Sequence, residues 1–217
     1  MIDVVLFSGK AQAGKDTSAK IMARFLSKHH GKRAFIIHFA DVLKYICATY
    51  HNWDGTKTQE QRQILIDVAQ KYRDIDQDFF VGFVASLIKM YKDEYDIFLI
   101  PDNRYLNEID VLKSNEMINV HTVRVARFNS DNTPFDNGLS KEQKESVSET
   151  QLDKYPFNFF IVNRTMEELE KKVERVAGKI LQRGIDNKKN RMINNFMAIN
   201  EAKSKSYRKE GVRIGNI

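Results

Sequence analysis

The sequence predicts an α/β protein in which parallel strands alternate with helices, and two observations carry that prediction. Short, nearly continuous apolar runs recur along the chain, and helical periodicity fills most of the stretches between them. The first run, residues 2–7, leads directly into Gly9-Lys10-Ala11-Gln12-Ala13-Gly14-Lys15-Asp16-Thr17 and then into a helical pattern. Two glycines five apart, a lysine after the second and a hydroxyl two places on make a loop that wraps a phosphate and opens a helix.

Residues 2–7 are apolar on both faces, as expected of an internal strand. Ile21, Met22, Phe25 and Leu26 then recur at helical spacing, and Gly31 after Lys28-His29-His30 is a stop signal. Residues 34–39 form the second expected strand, parallel to the first because a helix joins them. From 40 to 94 the sequence is mostly helical. Val42, Leu43 and Ile46 follow Asp41, residues 51–57 read as a loop around Asp54-Gly55, and Thr58-Gln59-Glu60-Gln61 is a capping box before Ile64, Leu65, Val68 and Tyr72. Asp78 is the expected cap of a further helix with Phe79, Phe80, Phe83, Val84, Leu87, Ile88 and Tyr91 on one broad stripe. The stripe reads as core rather than as a base-stacking platform, and the whole stretch as a surface-mounted helical arm.

The sheet resumes at 95–100 and ends at Pro101-Asp102-Asn103-Arg104, with a helix over Leu106, Ile109 and Leu112. Residues 119–126 are a fourth strand. Residues 128–155 are polar, with a turn region at 134–138, which reads as a lid or a disordered connection. A fifth strand at 157–162 leads to the capping box Thr165-Met166-Glu167-Glu168 and a helix with Leu169, Val173, Val176 and Ile180 on one face. Residues 1–183 are thus read as one domain and 184–217 as a basic extension.

Composition narrows the function classes. A chain of 217 residues has room for one sizeable core, since domains run to roughly 100–200 residues. No apolar run approaches the roughly 18 residues of a membrane span, and Asp3 with the glycine loop interrupts any signal-peptide pattern. The single Cys47 excludes an intrachain disulfide and a multi-cysteine zinc site, so a reducing, cytoplasmic setting is expected. The five histidines are scattered; His29-His30 are placed as helix C-terminal cations or on a solvated face. The net charge is +6, but residues 184–217 hold eight Lys/Arg against three Asp/Glu, so +5 of it lies in the tail. A basic tail is not a basic domain.

The loop residues Gly9, Ala11, Ala13, Gly14, Lys15, Asp16 and Thr17 are the expected phosphate contacts. Backbone N–H groups close on the anion, and Lys15 supplies a point charge. The usual pattern puts Ser/Thr directly after the lysine; here Asp16 stands there and the hydroxyl is Thr17. Asp102, just past a strand end, would face the loop if its strand neighbours the first. It would then hold Mg²⁺ with Thr17, through water, or else serve as a helix cap or turn aspartate. Arg104 would clamp a phosphate or lie on the surface. Arg124 and Arg127 leave the fourth strand for the lid, where they would bind the donor phosphates and the transferred group or act as strand-edge charges.

Several motifs together carry a resemblance: the loop with Lys-Asp-Thr, Phe39-Ala40-Asp41-Val42-Leu43-Lys44, the stretch from Gln61-Arg62 to Phe80, Asp102-Asn103-Arg104-Tyr105-Leu106-Asn107-Glu108, and Ser148-Glu149-Thr150-Gln151-Leu152. In this order, over residues 2–182, they resemble the bacteriophage deoxynucleoside monophosphate kinases of the P-loop nucleoside monophosphate kinase group. The resemblance implies a three-layer P-loop kinase fold with a five-stranded parallel sheet and helices on both faces. It also implies a monophosphate-binding arm at 40–94 and a lid at 128–155. The activity it implies is ATP- and Mg²⁺-dependent phosphoryl transfer to a nucleoside monophosphate, in the host cytoplasm if the source is viral. It accounts for Asp16, because that group commonly places one residue between the loop lysine and the hydroxyl. Lys15, Arg104 and Arg127 are then expected to act on the transferred phosphoryl, and Asp41, Lys44, Arg62, Arg73 and Arg104 to hold the acceptor. Asn163-Arg164 resembles the segment beside the donor adenine.

The chain departs from the group in three places. Lys44 stands where relatives use arginine, and a lysine cannot make the two-pronged planar contact. Gln12-Ala13 replaces a frequent serine, and the lid holds Lys141, Lys144 and Lys154 but no arginine. The tail, with Met192, Ile193, Phe196 and Met197 at helical spacing, reads as an extension packed on the domain or on a second subunit, or as a contact for nucleic acid or a replication partner. Two other functions fit the loop: a different small-molecule kinase of the phosphomevalonate kinase type, or a non-catalytic nucleotide-binding module whose tail binds nucleic acid.

Overall fold

The first strand, β1 (Ile2–Ser8), is the middle of a five-stranded sheet in which every pairing is parallel. A computed structural model describes residues 1–56 and 58–209. The other strands are β2 (Ala34–Ile36), β3 (Ile97–Ile100), β4 (Ile118–Arg127) and β5 (Phe159–Asn163), in the order β2-β3-β1-β4-β5. Val4 to Phe7 have no exposed surface, as a central strand covered on both faces requires. Because β1 pairs with β3 on one side and β4 on the other, the chain winds first one way and then the other from β1. The crevice this leaves lies beyond the carboxyl end of β1, where the glycine loop sits.

Helices cover both faces. Val4 and Leu6 of β1 share one core with Phe98 and Ile100 of β3 and with α2 (Ala40–Tyr50), α3 (Gln59–Ile75), α4 (Phe79–Tyr91) and α5 (Leu106–Ser114). The alternate residues Val5, Phe7, Leu99, Val123, Val125 and Ile161 are buried outside that cluster. They share the opposite layer with Ala19, Met22 and Leu26 of α1 (Lys15–His30) and with Leu169, Val173 and Val176. The α1 stop is as expected: Gly31, at φ 60°, donates its N–H to Leu26 and Ser27 carbonyls.

Three expectations change. Residues 40–94 are helical, but they are not mounted on the surface. Phe80, Val81, Val84 and Ile88 of α4, with Val68 and Ala69 of α3, belong to the main core. Second, β2 stops at Ile36 instead of running to 39: Ile37 N–H still reaches the Leu99 carbonyl, but His38 N–H goes to Asp41 and Phe39 N–H to Asp102 at the start of α2. Third, Asp78 precedes α4 without capping it; its carboxylate accepts from Asn107 Nδ2 at 2.9 Å. Thr58 does cap α3, through Gln61 N–H, and Thr165 Oγ1 accepts from Glu168 N–H.

Residues 128–155 carry two short helices, α6 (Lys141–Glu145) and α7 (Val147–Thr150), with Leu152 buried behind them. Gln151 accepts the Leu106 N–H, and Lys113 donates to the Tyr155 hydroxyl, which docks this segment on α5. The last helix, α8, is Met166–Lys209, and the chain divides into two compact units, Met1–Ala177 and Gly178–Ile217. In the second unit Met192, Ile193 and Met197 are exposed; the side chains of Lys188, Arg191 and Phe196, and residues 210–217, lie outside the described residues. No helix among the described residues is long and apolar enough to cross a membrane.

Candidate active site

The loop between β1 and α1 has room for no side chain at two points. A Cβ on Gly9, at φ 149°, would lie 2.2 Å from the Val125 carbonyl oxygen; one on Gly14, at φ 101°, would lie 2.6 Å from Asn163 Nδ2. Strands β4 and β5 therefore press on the loop from behind, and Asn163 Nδ2 also donates to the Ala13 carbonyl at 2.9 Å. Ala13 is buried by this contact. Gly14 is the N-cap of α1, so the first free N–H groups of that helix open at the loop.

Lys15 opens α1. It is 6% exposed, and its Nζ donates to the loop's own carbonyls, Gly9 at 2.7 Å and Lys10 at 3.0 Å. Burial, reinforced by the nearby Arg104 guanidinium, lowers its ammonium to about 8. A cation held on two carbonyls in a partly desolvated loop is a site that an anion would stabilise. Thr17, half-buried, faces a cavity of about 420 Å³ that is also lined by Lys15, Arg127, Asn163, Arg164 and Thr165. That cavity joins the loop to the end of β5.

Because β3 is the neighbour of β1, the condition set for Asp102 holds, and Asn103 N–H bonds to the Phe7 carbonyl at the end of β1. The Asp102 carboxylate accepts the Phe39 and Ala40 N–H groups, both at 3.0 Å, and so caps α2. Burial holds this carboxyl above its ordinary range against the pull of those N–H groups and of His38. Arg104 follows. Its backbone N–H is fixed by Glu108 Oε2 at 2.8 Å, and the same oxygen takes the Tyr105 N–H and Asn103 Nδ2. Burial raises the Glu108 carboxyl to about 7.

The side chains of the predicted phosphate-binding arginines are occupied from within the protein. Arg104 Nη1 is paired with Glu149 Oε1 and also donates to the Ser148 carbonyl. Arg124 donates to Asp153 at 2.5 Å and to the Ser8 hydroxyl at 3.2 Å. The Ala11 N–H, expected to meet phosphate, is given to Glu149 Oε2 at 2.9 Å. Lys10 spans the same two acidic residues, with bonds to the Glu149 carbonyl and the Asp153 carboxylate. Arg127 is different: it donates to the Gln12 carbonyl and lies 3.8 Å over the Phe135 ring, at the wall of the loop cavity.

Of the residues expected on the acceptor side, Asp41 and Lys44 lie on α2, Arg62 and Arg73 on α3, and Arg104 between β3 and α5. Asp41 bonds back to His38 N–H and lies 3.7 Å from the Lys44 ammonium. Arg62 is on the exposed face of α3. Arg73 lies with its guanidinium 4.4 Å over Tyr105 and 5.0 Å over Phe80, at a cavity of about 750 Å³ shared with Gln70, Asn107 and Gln151. That places one planar cation beside the residue that follows Arg104.

Two residues escaped the sequence reading. Glu149 appeared only as part of a motif, and His38 only as part of a strand. His38 Nε2 is 2.8 Å from Asp16 and its Nδ1 3.3 Å from Asp41, so it links the start of α1 to the start of α2. The hydrogen bond to Asp16 raises the imidazole above its ordinary value, with Asp102 and Asp41 adding to the effect, and the same bond lowers Asp16. A histidine directly before the Phe-Ala-Asp segment was the available signal.

No family model matches the sequence, and no curated protein matches it. Among solved structures, the chain is similar to the APS kinase of Mycobacterium tuberculosis at 13% identity over 83% of this chain and 97% of that one, with a TM-score of 0.43. It is similar to the shikimate kinase of Bacteroides thetaiotaomicron at 14% identity over 82% and 98% of the two chains, with a TM-score of 0.43. The thymidylate kinase of Ehrlichia chaffeensis matches at 13% identity over 81% and 98%, with a TM-score of 0.42.

Proposed function

We propose that this chain is a kinase that moves the terminal phosphoryl group of ATP to a (deoxy)nucleoside monophosphate, giving the diphosphate. The observation that carries the reading is Lys15: a buried ammonium resting on loop carbonyls at the start of α1, next to a cavity that runs to Asn163, Arg164 and Thr165. An anionic phosphate chain would take the loop N–H groups and the Lys15 charge, and the cavity would take the base.

The acceptor is a phosphate with a second pKa of about 6, already ionised at neutral pH, so no general base is required. The residues have to bind, orient and exclude water. Arg73 is the acceptor-side cation with the geometry for a two-pronged contact, which Lys44 lacks. Arg104 and Arg127 stand on either side of the loop to meet charge on the transferred group. The hydroxyl of Thr17 and the carboxylate of Asp102 are hard oxygen donors suited to Mg²⁺ bound largely through water and phosphate, and such an ion would neutralise the phosphate charge. Asp102 keeps lone pairs for a bridging water while it caps α2.

A panel of ribo- and deoxynucleoside monophosphates with ATP and Mg²⁺ tests the reading. Turnover on one or more is expected, and Lys15→Ala should abolish it with the fold intact. Full activity in Lys15→Ala would overturn the assignment. Absence of turnover on every monophosphate would point instead to another small-molecule acceptor.

A further inference from the structure

The Glu149 carboxylate lies inside the phosphate machinery. The residue is 8% exposed; one carboxylate oxygen accepts the Ala11 N–H of the loop at 2.9 Å and the other takes the Arg104 guanidinium. Burying a carboxylate is unfavourable unless it is paired and hydrogen-bonded, and here the pairing reaches two elements distant in sequence. Its own carbonyl holds the Lys10 ammonium at 2.6 Å, so the residue is anchored at both ends.

Arg104 is fixed by two separate carboxylates. Glu108, on α5, sets its backbone through the N–H, whereas Glu149, on α7, sets its guanidinium. Only the second carboxylate also bonds to the loop. One group therefore fixes the guanidinium relative to the place where phosphate would be held, and it comes from the 128–155 segment, which touches the loop at Lys10 and Ala11. Resting on the kinase reading above, we infer that Glu149 is a positioning residue. It aims Arg104 at the phosphoryl group, so the arginine is in place only when the 128–155 segment is docked.

The contacts used by Glu149 and the Ser148 carbonyl are both on Nη1. The remaining guanidinium donors stay available for phosphate oxygens, and the plane of the fork is set. Without the carboxylate, Arg104 keeps its charge but loses its orientation. Nucleotide binding is then retained while the rate of transfer falls, since orientation is expressed in the transition state.

Steady-state kinetics on the full chain, with ATP, Mg²⁺ and the preferred monophosphate, test this. Glu149→Gln keeps the shape and an acceptor for Ala11 N–H but removes the charge; kcat should fall about 10- to 100-fold while the KM for ATP changes less than about threefold. Glu149→Asp, which keeps the charge, should recover part of that loss. In an Arg104→Gln background the Glu149→Gln change should cost little more, because the two act as one unit. An unchanged kcat in Glu149→Gln would overturn the inference. So would a loss confined to the KM for ATP, multiplicative effects in the double variant, or tighter ADP binding with undiminished kcat, which would make the carboxylate a mere competitor for phosphate. If wild-type protein turns over and only the Glu149 expectations fail, the kinase reading stands; if wild-type protein shows no turnover, both fall.

Discussion

Replacing Lys15 by methionine should stabilise the ligand-free protein while abolishing transfer. The lysine is nearly inaccessible, and its ammonium is lowered from the ordinary 10.5 to about 8, chiefly by burial. At about 1.4 kcal/mol per pH unit, keeping it charged at pH 7 costs the fold about 3 kcal/mol. Lys15→Met removes that cost but also the two hydrogen bonds to the Gly9 and Lys10 carbonyls, at about 1 kcal/mol each, leaving a net gain of about 1 kcal/mol. For a domain of this size that is a rise in Tm of roughly 2–4 °C. The pH dependence has a definite sign. Between about 8 and 10.5 the unfolded chain binds the proton and the folded one does not, so wild-type stability climbs through that window. The gap between variant and wild type should therefore be full at pH 7 and close as the pH approaches 10.5. Thermal melts at pH 7 and at intervals up to pH 10 measure it. A variant less stable than wild type at pH 7, or a gap that does not narrow at high pH, would refute the claim that burial holds the lysine against its own solvation.

Two further predictions concern the loop and its link to α2. Gly9→Ala drives a Cβ to 2.2 Å from a backbone oxygen that cannot move aside, so nucleotide binding should be lost and stability should fall by more than about 2 kcal/mol. Gly31→Ala, at φ 60° with nothing within 4 Å, should cost only the left-handed strain of about 1–2 kcal/mol and leave binding alone; similar losses in both variants would count against the steric account. His38 should titrate above its ordinary value by proton NMR and move back down in Asp16→Asn, since Asp16, Asp41 and Asp102 all face it. The contribution of His38 is present below its unfolded value and lost as pH rises through the raised one. That of Asp16 is lost as pH falls through its lowered value, so the pair supports the fold only between these limits. An imidazole indifferent to Asp16→Asn would show that the contact is not formed in solution.

The difference between what was legible in the sequence and what was not follows from how far each signal reaches. The β1 strand, the glycine loop and the α1 stop at Gly31 depend on residues within a few positions, and local chemistry specifies them. The proximity of Asp102 to the loop needs the strand order β2-β3-β1-β4-β5, which no local pattern encodes; the sequence supports it only as a condition, and the β1–β3 pairing meets that condition. The second strand was read three residues too long because apolar character continues to Phe39. The N–H groups of His38, Phe39 and Ala40 were already committed to carboxylates, one of them Asp102, more than sixty residues away.

The 128–155 segment was the least legible part, for a physical reason. Its packing rests on charge rather than periodicity: Glu149 and Asp153 satisfy Lys10, Arg104, Arg124 and the Ala11 N–H, and each partner is more than twenty residues distant. Reading cations alone finds the groups that could meet a phosphate, and Arg104 and Arg124 were found that way. It leaves out the anions that must neutralise those groups when no phosphate is present. Cations gathered this closely repel one another unless anions stand among them, and Glu149 and Asp153 supply those anions. A polar stretch with Glu and Asp four apart, as at Glu149 and Asp153, is therefore where to look for the partners of such cations.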